Sequence, residues 1–167
     1  AVEARYLELY PRGTPLIVAC ENGNLDDVEV LLTDDNKNVV GTNSYGYEYT
    51  PLMVAANFEH FQVVEYLIGE GADPNIVDSD GVNALHKAAI SNRRSTEVIE
   101  LLLTHMSLDS INKKNGGGWT PLDLAYVFND SPIRQEIIAL LRSKGGKANC
   151  YDENGRFVGE GNGDLNH

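Results

Sequence analysis

The chain has 167 residues, 42% of them hydrophobic and 23% charged, a composition that excludes wholesale disorder and suits one cooperative unit or a repeat stack. Thirteen Lys and Arg against twenty-five Asp and Glu leave a formal charge of −12, so neither a nucleic acid nor an anionic membrane surface is expected as a partner. No apolar run reaches the roughly 18 residues of a membrane span, and Glu3, Arg5 and Glu8 interrupt any signal-peptide pattern. Two cysteines, Cys20 in an apolar stretch and Cys150 at the start of a polar tail, make no disulfide framework and point to a reducing, intracellular setting, cytoplasmic or nuclear.

In chain order, residues 1–12 place Val2, Tyr6, Leu7 and Tyr10 on one side of a short helix that Pro11 would end. From residue 13 the chain repeats itself. Thr14-Pro15-Leu16-Ile17-Val18-Ala19 returns as Thr50-Pro51-Leu52-Met53-Val54-Ala55, as Asn83-Ala84-Leu85-His86-Lys87-Ala88 and as Thr120-Pro121-Leu122-Asp123-Leu124-Ala125. Openings at positions 14, 50, 83 and 120 set a period of 33 to 37 residues.

Thr followed by Pro reads as a helix start: the hydroxyl can cap orphan amides, and Pro at the first helical position gives up an N–H that had no partner. A second helix follows in each unit, with Val63, Val64, Leu67 and Ile68 forming an apolar face wide enough to bury against neighbours on both sides. Gly71 and Gly145 stand where a left-handed cap would end it, and Asp78-Ser79-Asp80-Gly81 supplies a turn between units.

These motifs closely resemble the ankyrin repeat, and the resemblance covers roughly residues 13–149. It implies an all-α repeat solenoid of helix-turn-helix pairs joined by hairpin or turn fingers. The expected units are 13–45, 46–78, 79–115 and 116–149, with residues 1–12 as an N-terminal cap and 150–167 as a polar tail that forms a partial hairpin around Asn154-Gly155. The Thr-Pro-Leu-His signature is complete nowhere: Ile17, Met53 and Asp123 replace the His that His86 keeps, and in the family that His supports the local backbone. Glu59 stands where a Gly is usual between the paired helices, which puts the turn there in question.

Insertions fall outside the helices. The first finger, from Asn36 to Tyr49, is the longest and carries Tyr45, Tyr47 and Tyr49; the turns around Ser91–Ser95 and Asn129–Pro132 are lengthened, as is the finger of residues 104–119.

Sites of chemistry are hard to assemble. Cys20 with His60, His86 or His105 would be a nucleophile and base, but Cys20 takes the place of Ala56 and Ala89, where a small packed side chain is needed. The four His residues, His167 included, have no zinc spacing; the acidic turns at Asp78 and Asp152 lack a calcium loop's closing Glu; and Gly116-Gly117-Gly118 lacks the Lys-Ser/Thr of a phosphate loop. Asn129-Asp130-Ser131 is a formal glycosylation acceptor, made unsuitable by Pro132. Asn75 and Asn112 hold the finger position that some ankyrin proteins present to an asparaginyl hydroxylase, and whether either is modified is left open. No catalysis, cofactor or metal is expected.

What remains is recognition. The resemblance implies that a partner meets the fingers and the exposed side of the first helices, where this chain carries Tyr45, Tyr47, Tyr49, Phe58, Val82, Trp119 and Phe128. Tyr and Trp are enriched in binding hot spots; packing between adjacent fingers is the competing role for the same residues. The expected function is therefore a monomeric protein–protein interaction module for another protein or peptide, one with basic residues at its rim. The alternative is a regulatory or targeting ankyrin segment of a larger enzyme or channel, suggested by a chain that begins at Ala1.

Overall fold

A computed structural model describes residues 1–90, 94–128 and 130–159. Residues 91–93 and Asn129 of the two lengthened turns lie outside the described residues, as does the end of the tail from residue 160, with His167.

Within the described residues the chain forms α1 (Val2–Leu9), α2 (Pro15–Asn22), α3 (Leu25–Leu31), β1 (Gly41–Thr42), β2 (Glu48–Tyr49), α4 (Pro51–Asn57), α5 (Phe61–Gly69), α6 (Ala84–Ala89), α7 (Glu97–His105), α8 (Leu108–Ile111), α9 (Pro121–Phe128) and α10 (Arg134–Ser143). Helices α2, α4, α6 and α9 pack in succession as an inner layer, and α3, α5, α7 and α10 follow in the same order as an outer layer. This is the all-α repeat solenoid. The inner helices are short and carry small residues at their contacts, with Ala19, Cys20, Ala55, Ala56, Ala88, Ala89 and Ala125 wholly or almost wholly buried, so successive backbones approach closely. Of the outer-helix face, Val63, Val64 and Leu67 are buried, while Ile68 packs against the core from a half-buried position.

The helix starts differ in detail from one unit to the next. Thr50 Oγ1 accepts the Met53 N–H at 3.2 Å, and Asn83 Oδ1 accepts the His86 N–H at 3.0 Å, both as ordinary caps. Thr14 is different. It makes no side-chain cap, and its hydroxyl oxygen instead accepts the Thr42 N–H at 3.0 Å, tying α2 to the first finger.

At the N-terminal end α1 packs on α2 and α3. Tyr6 is buried and donates its hydroxyl to Asp27 Oδ2 at 2.6 Å, while Arg5 pairs with the same oxygen at 2.6 Å and Asn24 Nδ2 donates to it at 2.8 Å. Leu7, expected on the covering face, is 53% exposed, because α1 turns only its Tyr6 side inward and leaves Val2 and Tyr10 at the margin. The lengthened finger of residues 104–119 contains the one-turn helix α8, capped by Ser107 Oγ on the Ser110 N–H at 3.2 Å.

The chain beyond Asn149 does not begin as a solvated tail. Cys150 is fully buried, its N–H donates to Asp123 Oδ1 at 2.8 Å, and Tyr151 pairs with Phe157 across a turn at Asn154–Gly155. Four turns share one construction. Asn43, Asp78, Asn115 and Asp152 each use Oδ1 to accept two backbone N–H groups, two and four residues on, at 2.8–3.0 Å. The residue three places after each is a glycine, Gly46, Gly81, Gly118 or Gly155, with φ between 73° and 88°, a conformation in which a Cβ is strained. The hairpin at Asp152 is thus a finger turn like the others, followed by Phe157-Val158 where the earlier units have Thr-Pro-Leu or Asn-Ala-Leu.

Candidate protein-binding surface

Finger one is built on Asn43, whose side chain is buried and holds the Tyr45 and Tyr47 N–H groups at 3.0 and 2.9 Å. Glu21 of α2 adds a carboxylate oxygen to the Ser44 N–H at 3.2 Å. With the backbone held, the rings of Tyr45 and Tyr47 project to 74% and 68% exposure. Tyr49 differs: it is half-buried, and Lys87 Nζ of α6 lies 5.0 Å from its ring centre, a cation–π distance. Burial, with the charge of Glu21 behind it, pushes the Tyr49 hydroxyl above its usual pKa.

Two clefts flank the next finger. One, of about 470 Å³, lies between Gly46, Tyr47, Glu48 and Tyr49 on one side and Asp78, Ser79, Asp80 and Lys87 on the other. The second, of about 310 Å³, runs between Asp80 and Val82 and the segment Asn115-Gly116-Gly117. Val82 is half-buried at its edge. The structure therefore brings Tyr47, Tyr49 and Val82 to adjoining clefts that share Asp80. Phe58 sits apart at the end of α4, 45% exposed and stacked on His60 with ring centres 6.5 Å apart.

Trp119 is a correction. Expected on the binding face, it is 1% exposed and packs with Leu124 and Cys150 beneath Phe128 and Tyr151, whose ring centres lie 6.1 and 6.2 Å away. The physical reason is the hairpin at Asp152, which folds Tyr151 back over the indole. Phe128 keeps 51% of its surface open on the outside of this cluster.

Beneath the fingers, His86 is fully buried and closes a capping box with Asn83. Its Nδ1 accepts the Asn83 N–H at 3.1 Å, so Nε2 carries the proton and donates to the Trp119 carbonyl at 3.1 Å. Burial lowers its pKa to about 4, against the partial support of that carbonyl. Burial likewise pushes the Cys20 thiol up to about 12, so neither group is activated for nucleophilic chemistry at neutral pH. Among the described residues no three His, Cys, Asp or Glu side chains converge as a metal site requires, and no helix is long and apolar enough to cross a membrane.

Reading the sequence for aromatic residues passed over Glu48, Asp80 and Lys87, which line the larger cleft. The signal was present in the Asn/Asp-x-x-Gly turns, which fix where each finger tip bends and hence which polar residues face each other across the gap.

A family model described as three copies of the ankyrin repeat matches residues 4–78 and 52–152. The chain belongs to the ankyrin-repeat family. It is 35% identical over 132 residues, 78% of its length, to an ankyrin repeat protein of fowlpox virus, of which it covers 37%. It is also 27% identical over 79% of its length to the phosphocholine transferase AnkX of Legionella pneumophila, and 28% identical over 77% to the human transient receptor potential cation channel subfamily A member 1. The chain spans 12% and 11% of these two proteins. Across these curated relatives it therefore matches little more than a third of the length at most.

Proposed function

We propose that the chain binds another protein through its finger and first-helix surface, with Tyr45, Tyr47, Tyr49, Phe58, Val82 and Phe128 as contact residues and no reaction catalysed. The observation that carries this reading is the exposure of Tyr45 and Tyr47, 74% and 68%, on a turn whose backbone N–H groups from Asn43 to Tyr47 are all hydrogen-bonded. Large rings held open by an ordered backbone bring contact area at little entropic cost on binding. A charge of −12 favours a partner with a basic rim and raises its association rate. The chain acts as a monomer in this reading, and its buried, unbridged thiols suit a reducing intracellular compartment.

The test compares partner capture by the wild-type chain, by the double variant Tyr45→Ala/Tyr47→Ala and by Glu65→Ala, a change on the exposed side of α5. Truncating two anchors is expected to weaken capture by at least about tenfold. Glu65→Ala leaves it unchanged. A partner held equally by the double variant would overturn the finger surface as the binding face.

A second reading is that this chain is the interaction segment of a longer enzyme or channel, favoured by its similarity to short stretches of a phosphocholine transferase and a cation channel. The length of the native open reading frame decides it.

A further inference from the structure

The tips of successive fingers do not sit equally close. The backbone carbonyl of Asp80 in the second accepts the Gly116 N–H of the third at 2.7 Å, and the stretch before α2 bonds to the first through Thr14 N–H and the Thr42 carbonyl at 2.9 Å. Among the described residues no backbone hydrogen bond joins residues 41–49 of the first finger to residues 76–82 of the second. The reason is in the sequence. One residue separates Gly81 from Asn83, and Gly118 from Thr120, whereas three separate Gly46 from Thr50, so Tyr47 and Glu48 are extra and stand off the neighbouring finger.

The cleft of about 470 Å³ thus opened has a definite chemistry. Tyr47 lines it with a ring that is largely exposed. Glu48, Asp78 and Asp80 border it, and among the described residues none of the three has an ion-pair partner within 4.0 Å. Asp78 Oδ1 is committed to the turn, which leaves Glu48 and Asp80 to address an incoming group. Lys87 closes the inner wall against Tyr49 and leaves the ring of Tyr47 as the one for a visitor.

We infer that this cleft takes an arginine side chain from an extended basic segment of the partner. A guanidinium is planar, so it stacks on a tyrosine face while its edge donates to carboxylates; an ammonium does only the second well. The inference rests on the finger surface being the binding face and adds the residue that face selects.

It is tested on the full chain by amide chemical-shift titration with N-acetyl-arginine amide, N-acetyl-lysine amide and N-acetyl-citrulline amide, the last matching arginine in shape without its charge. The arginine probe is expected to bind weakly and saturably, shifting Tyr47, Glu48 and Asp80, and about tenfold more tightly than citrulline. Tyr47→Ala and Asp80→Asn, neither of which removes a turn hydrogen bond, each weaken it several-fold. Citrulline or lysine binding as well as arginine, shifts confined to other residues, or no saturable shift would each overturn the inference. Should the arginine site fail while partner capture still depends on Tyr45 and Tyr47, only the arginine assignment falls; loss of both dependences removes the finger surface itself.

Discussion

His86 and Asp123 hold the same place in successive units, and they address the following finger with opposite hydrogen-bond polarity. His86 Nε2 donates to the Trp119 carbonyl, whereas the Asp123 carboxylate accepts the Asn149 N–H at 3.0 Å and the Cys150 N–H at 2.8 Å. Asp123 also accepts from the N–H and hydroxyl of its own Thr120, at 2.9 and 3.1 Å. Both side chains are wholly buried, so each is a fixed strut between units with no water to substitute for a missing partner.

The polarity predicts that restoring the family's residue with Asp123→His destabilises the chain. A neutral imidazole must keep one N–H, and here both of its nitrogens would face donors: Thr120 N–H on one side, Asn149 and Cys150 N–H on the other. The cost of a buried unsatisfied donor is about 1–3 kcal/mol, read as a lower urea midpoint and faster amide exchange at Asn149 and Cys150. Asp123→His as stable as wild type would refute the strut.

The pH dependence of stability has a sign set by His86. Its folded pKa of about 4 lies below the ordinary value near 6.5, so between these limits the unfolded chain takes up a proton that the folded chain refuses. The contribution is complete above about pH 6.5 and is lost as pH falls towards 4, amounting to roughly 3 kcal/mol at most. His86→Gln, which keeps an acceptor for Asn83 N–H and a donor for the Trp119 carbonyl, flattens that part of the curve. Unfolding free energies at pH 7 and pH 4.5 for the two proteins check it, and parallel curves would exclude His86 as the source.

Trp119 is expected to act on stability before it acts on binding. Truncation to Ala empties a fully buried site and costs about 3–5 kcal/mol. Its indole N–H has no hydrogen-bond partner among the described residues, so Trp119→Phe removes an unsatisfied donor along with part of the volume and costs clearly less. Tyr45→Ala and Tyr47→Ala, at exposed positions, stay within about 0.5 kcal/mol of wild type. Thermal unfolding of the four variants gives the ranking directly, and a neutral Trp119→Ala would return that residue to the surface.

Glu59 takes a left-handed backbone, φ 59°, at the position of Gly23 in the preceding unit, φ 70°. Its carboxylate accepts the Arg94 and Ser95 N–H groups of the next unit, at 3.1 and 2.7 Å, which offsets a strain of about 1–2 kcal/mol. Glu59→Ala keeps the strain and loses the bonds, so it is the more damaging change. Glu59→Gly loses the bonds but relieves the strain and lies near wild type. Urea titrations should separate the two variants by about 1 kcal/mol, and identical midpoints would show that the left-handed turn is not kept.

Much of the fold was legible from repetition. Openings at Thr14, Thr50, Asn83 and Thr120 share a local code of cap, proline or small residue, and apolar spacing, and such a code acts within one unit without reference to distant chain. The Ala and Cys positions of the inner helices were legible for the same reason. Less of the candidate surface could be read. Tyr45 and Tyr47 are exposed, but Trp119, four residues after Asn115 as Tyr47 is four after Asn43, is buried, because exposure depends on whether the next finger folds back over it.

The sequence alone determined the family, the order and pairing of the helices, and the acidic balance of −12. Tertiary structure alone decided three things: that Cys150 and Tyr151 cover Trp119, that His86 and Asp123 brace their neighbours with opposite polarity, and that Glu48 and Asp80 line one cleft between the first two fingers. Each of these is a relation between units more than 25 residues apart, or a gap left between them, and local periodicity carries no information about what the next unit places opposite.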